Sequence, residues 1–290
     1  MPTARLLTFA LIGALSVAAQ PAPGQTGRVA PTLAQRGDDL TRLTEVLLIG
    51  EMIDVMREEG LDYGDQMEGE LFPGRGGASW AMDVSRIYDP VWMRSQFDAA
   101  FTAGLADDPD AVAAILNFFD TASGRHILAL EVEARRALID PSVEDAAKAR
   151  VEDMRDKGDP RLVALLRFAK VNDLIEQNVS GSLNSNLAFF QGMAEAGGPG
   201  GDVTEDQMLS EVWAQEPAIR VETEDWLFPY LAMAYGPLSD AEIDGYVAFS
   251  TTNPGQKLNQ ALFTAFDRLF TSVSRNLGLA AGRQLLGEDI

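Results

Sequence analysis

Apolar residues recur along this chain at intervals of three and four, the spacing of one helix face. Leu40, Leu43, Leu47, Leu48, Met52, Val55 and Met56 form one such stripe, which a cap at Asp38 or Asp39 would open and Gly60 would close. A second stripe runs through Leu162, Leu165, Leu166, Ala169, Leu174 and Ile175, after Asp159-Pro160, a cap followed by a first-turn proline. Asp108-Pro109 marks another helix start. Ser239 with Glu242 marks a further one, where each side chain can bond a free backbone N–H in a capping box. The pattern predicts an all-α chain of about ten to fourteen helices.

The features also come twice, in the same order. Phe118 and Gly124 stand at one corner, and Phe249 and Gly255 stand at the same separation at another. Leu47 aligns with Leu166 and Asp54 with Asp173; Trp80 aligns with Trp213 and Trp92 with Trp226. Glycine-rich breaks at 72–77 and 197–201 interrupt the two halves at matching points. We therefore expect an internally duplicated protein, with residues 38–157 and 158–290 as two helical repeats packed about a pseudo-twofold. Each corner reads as helix, cap, helix, with Ser123 and Asn253 as expected caps and Pro254 preset for the first helical position. Its phenylalanine either plugs the corner or faces a ligand between the halves.

This aromatic-ended helix, short turn and following basic residue resemble the bacterial family called domain of unknown function 2059, over roughly residues 92–140 and 226–275. FSTTNPGQKL at 249–258 is the closer copy. The other lacks the proline and has Arg125-His126 where this one has Gln256-Lys257. The resemblance implies an exported helical protein and leaves its activity unassigned.

Residues 1–19 carry an early cation, Arg5, then an apolar run from Leu6 to Val17 and small residues to Ala19, the order of a secretory signal peptide. Residues 20–37, rich in Pro, Gly, Gln and Ala, read as a disordered lead-in. The expectation is a periplasmic or secreted protein with no transmembrane segment in the mature chain. Cysteine is absent, which removes disulfides and thiolate chemistry.

Composition narrows the partners. Acidic residues number 44 against 23 basic, a net charge of −21, which disfavours nucleic acid and anionic lipid and suits a cation or another envelope protein with basic or apolar segments. No phosphate-binding loop or nucleophile elbow is present, and the single histidine, His126, has no second histidine or cysteine to work with. Carboxylates are the plentiful resource: Asp54 with Glu58, Glu131 with Glu133, and Asp173 with Glu176. Asp54 and Asp173 draw attention because the alignment makes them equivalent. The residues assign no catalytic, cofactor or metal site. Two classes of function stay open: a non-catalytic binding or interaction protein of the envelope, and a carboxylate hydrolase or lyase with its site between the halves. Trp80, Trp213, Trp92, Trp226, Phe118 and Phe249 are the candidates to line that seam.

Overall fold

The structure is a computed structural model that describes residues 33–198 and 204–287. The expected signal peptide at 1–19, most of the expected lead-in at 20–37 and the end of the second glycine-rich break lie outside the described residues. The described residues form 13 helices and no strand, so the chain is all-α.

Up to residue 157 the order is α1 (Leu33–Val46), α2 (Ile49–Leu71), α3 (Gly77–Ile87), α4 (Pro90–Leu105), α5 (Pro109–Phe119), α6 (Ala122–Ala137) and α7 (Pro141–Asp156). The remainder is α8 (Pro160–Val171), α9 (Leu174–Glu195), α10 (Glu205–Trp213), α11 (Glu216–Ala234), α12 (Asp240–Ser250) and α13 (Asn253–Leu286). Local chemistry explains most starts. Asp108 and Asp159 accept backbone N–H bonds ahead of Pro109 and Pro160, and Ser239 with Glu242 closes a capping box.

The first stripe departs from expectation at three points. Helix α1 begins at Leu33, upstream of Asp38 and inside the segment read as disordered. The stripe then breaks at Leu48, which takes a left-handed backbone (φ 54°, ψ 36°), so one expected helix is two. Gly60 does not end α2. It lies inside the helix because the ring of Tyr88 packs on it, and a Cβ there would come within 2.2 Å of Tyr88 Cε1. The second stripe has the same break at Asp173 (φ 50°, ψ 32°), between α8 and α9. The bend thus aligns Asp173 with Leu48, while Asp54 lies exposed within α2.

Helix α13, 34 residues and roughly 50 Å long, is the spine. It packs most extensively against α9 and next against α4. Around it a single core joins Leu43, Met56 and Phe101 from the first half to Phe168, Leu231 and Leu269 from the second. Phe97 of α4 meets Phe266 of α13 with ring centroids 4.7 Å apart. A small satellite core, Val179, Leu183, Val212 and Ile219, ties α9 to α10 and α11.

Candidate functional site

The two corners of the repeated motif meet. Phe118 at the end of α5 and Phe249 at the end of α12 stack with centroids 4.0 Å apart and planes 13° from parallel. The caps are Thr121 and Thr252, not Ser123 and Asn253: their hydroxyls accept from Gly124 N and Gly255 N, so the helices start slightly upstream of the expected caps. Both glycines sit against the preceding helix end. A Cβ at Gly124 would be 2.5 Å from the Phe118 carbonyl oxygen, and one at Gly255 would be 2.4 Å from that of Phe249.

Beside this stack lies a cavity of about 50 Å³, lined by Phe119, Phe249, Leu258 and Phe266 and by one carboxyl, Glu131 of α6. Glu131 is 8% exposed and accepts from Tyr235 Oη at 2.8 Å and Tyr246 Oη at 3.2 Å. Burial pushes its pKa up to about 7, against the opposing pull of the two hydroxyls. The three nearby phenols, Tyr230, Tyr235 and Tyr246, are held well above the ordinary range, first by burial and then by the carboxyl's charge. One turn along α6, Arg135 forms a bidentate pair with Glu59 of α2 and lies 5.7 Å over the Trp226 ring.

The larger site is a groove of about 440 Å³ between α9 and α13. These helices run parallel. Asn259 reaches the Asn172 carbonyl, Asn184 reaches Asp267, and farther along Gly192 abuts Arg275 and Leu279. Toward their C-termini, glycines bring the backbones together: a Cβ at Gly192 would lie 2.1 Å from the Arg275 oxygen, and one at Gly278 2.1 Å from the Phe189 oxygen. Toward their N-termini the facing residues are amides, hydroxyls and aromatics. Gln177, Asn178, Ser182, Ser185, Asn259 and Phe263 are among the lining, with Asp173 at one end and Asp267 farther along.

Two of these amides are conspicuous by their unmet valence. Asn178, 3% exposed, gives its Nδ2 to the Leu174 carbonyl at 2.7 Å, and Asn259, 9% exposed, gives its own to Asn172 at 3.3 Å. Neither Oδ1 has a hydrogen-bond partner. A buried acceptor left unpaired costs about 1–3 kcal/mol, a cost that a donor reaching either oxygen would relieve. No Lys, Arg or His is among the lining residues.

The residues singled out in the sequence scatter. Trp80 is 1% exposed, donates Nε1–H to the Gly64 carbonyl and packs edge-on against Phe72; Trp213 is 63% exposed at the end of α10. Trp92 is in the first turn of α4, whereas Trp226 is midway along α11, stacked on Tyr230. Of the aromatic pairs, only Phe118 and Phe249 come together. His126 is exposed. Glu131 is buried and Glu133 exposed, while Asp54 and Glu58 are both exposed. Glu176 pairs with Arg220, which holds its pKa below the usual range. Among the described residues no cluster of three or more His, Asp or Glu is placed to hold a metal ion, and no helix is long and apolar enough to cross a membrane. Asp173 alone of the sequence candidates lines the groove. Comparison with protein-family models, curated proteins and solved structures returns no match.

Proposed function

We propose that this chain is an exported, non-catalytic binding protein of the bacterial envelope, and that it holds a small hydrogen-bond-donating ligand in the groove between α9 and α13. The observation that carries the reading is the pair of buried, unpartnered carboxamide oxygens of Asn178 and Asn259 in an amide-lined groove. The groove's volume of about 440 Å³ matches a small molecule and not a folded partner. The net charge of −21 attracts cations of any size to the surface before one is selected. Export rests on the cation, apolar run and small-residue order of residues 1–19.

We read the chain further as two copies of one helical unit, 38–157 and 158–290. Three parallels support this: the left-handed bends at Leu48 and Asp173, the threonine caps at Thr121 and Thr252, and the stacked phenylalanines. The copies have diverged in use, because only the second places an amide face on its long helix.

A thermal-shift panel of diamines, polyols, amino sugars and short basic peptides tests the binding reading against a groove-filling variant, Gly181→Leu. Gly181 lines the groove, and a Cβ there meets nothing closer than Asp267 Oδ1 at 3.8 Å, so the backbone accepts the change while the side chain occupies the space. At least one ligand class should raise the Tm of the parent and leave the variant unmoved. A panel in which no class does so removes the reading.

A further inference from the structure

The groove's chemistry is directional as well as polar. At one end the Asp173 carboxylate accepts from Gln177 Nε2 at 3.3 Å; farther along, the Asp267 carboxylate accepts from Asn184 Nδ2 at 2.9 Å. Among the described residues neither carboxylate has an ion-pair partner, although 14 other ion pairs are formed. Asp267 is level with Gly181 and Asn184 of α9, eight to eleven residues beyond Asp173. At 1.5 Å per residue the two carboxylates are about 12–16 Å apart along the groove. Between them lies Asn178, and Phe263, Phe266 and Phe270 supply apolar wall.

A polyol would satisfy the amide oxygens and leave both carboxylates unneutralised. A compact monocation would reach one carboxylate and not the other. Two separated negative charges, acceptors between them and an aromatic wall together fit a chain with an ammonium group at each end and methylenes between. The N-termini of α9 and α13 bring partial positive charge of roughly half a unit each to the Asp173 end, and the full negative charge of Asp173 outweighs it locally.

We infer that the groove binds a linear aliphatic diamine or polyamine, its terminal ammonium groups held by Asp173 and Asp267 and its N–H donors shared with the Asn178 and Asn259 carboxamide oxygens. This rests on the groove being a binding site. It adds the ligand's charge, shape and length.

Isothermal titration calorimetry with diaminobutane, diaminodecane and spermine separates length from charge, since the two diamines carry the same charge. Diaminodecane and spermine should bind the parent more tightly than diaminobutane, and each should weaken at least tenfold with Asp173→Asn and with Asp267→Asn. Asparagine tolerates the left-handed backbone that Asp173 occupies, so that substitution leaves the bend in place. Asp54→Asn, exposed on α2 outside the groove, should change nothing and controls for general attraction to an acidic surface. Gly181→Leu should abolish binding. Equal binding to parent and Gly181→Leu, or no loss in either groove Asp variant, overturns the inference. If a polyol is held by the parent, lost in Gly181→Leu and indifferent to both Asp variants, the polyamine falls while the groove survives as a site. If no probe distinguishes parent from Gly181→Leu, both fall.

Discussion

Glu131 keeps a carboxyl in a cavity where two tyrosine hydroxyls donate to it. Its pKa, raised from 4.5 to about 7, means that the folded chain holds a proton there which the unfolded chain has released. Stability is therefore greatest below about pH 4.5, as far as this group is concerned. It falls as pH rises from 4.5 to 7, and is level above that, a loss on the order of 3 kcal/mol. Glu131→Gln keeps an acceptor for Tyr235 and Tyr246 and removes the titration. The difference in Tm between parent and variant, measured from pH 4 to pH 8, should shift in the variant's favour as pH rises; a constant difference would mean the carboxyl is not buried in this way. In the sequence Glu131 stands out only as the neighbour of Glu133. Two residues apart on a helix are close to opposite faces, and which face is inward depends on α11 and α12, more than 100 residues away in the chain. Asp173 was legible as a residue of interest, but through a register that set it over Asp54. Its distinction is the left-handed bend, a backbone state its side chain tolerates and its neighbours do not announce.

Helices were the most legible level, because their starts are written in short-range chemistry: Asp-Pro at α5 and α8, and the Ser239–Glu242 box at α12, all appear where the spacing puts them. Helix interiors were less so, since glycine has opposite meanings there. Gly245 of α12 has open space where a Cβ would go, whereas Gly278 of α13 faces the α9 backbone at 2.1 Å. Gly245→Ala should stabilise the fold by about 0.5–1 kcal/mol through propensity alone. Gly278→Ala should destabilise it by about 1–3 kcal/mol or more, as α13 is forced off α9. Chemical denaturation of the two variants checks the sign; the same direction for both would mean that the α9–α13 seam is loose. The corner glycines behave like Gly278. Gly255→Val should cost at least as much, because the obstructing atoms belong to the end of α12, which cannot rotate out of the way. The amide face of α9 was the element-scale feature that sequence reading missed. Asn178, Ser182 and Ser185 fall at helical spacing, a signal present in the sequence but indistinguishable there from a solvated face until α13 packs beside it.

At the scale of the molecule, one core runs through both halves, so the sequence boundary at 157–158 is not a boundary in stability. Unfolding should be a single transition by both circular dichroism and tryptophan fluorescence, whose midpoint rises with salt as the repulsion within a chain of net charge −21 is screened. Two separate transitions, or a midpoint that falls between 10 and 200 mM salt, would contradict this.

The spine has a further consequence for how the molecule comes into being. Helix α13 is synthesised after the other described helices, yet α4 and α9 pack extensively against it. At 5–20 residues per second, roughly 2–7 s separate the completion of α12 from that of α13. During that interval the faces of α4 and α9 that α13 covers have nothing to close on. The nascent chain thus cannot close its core until α13 has been made.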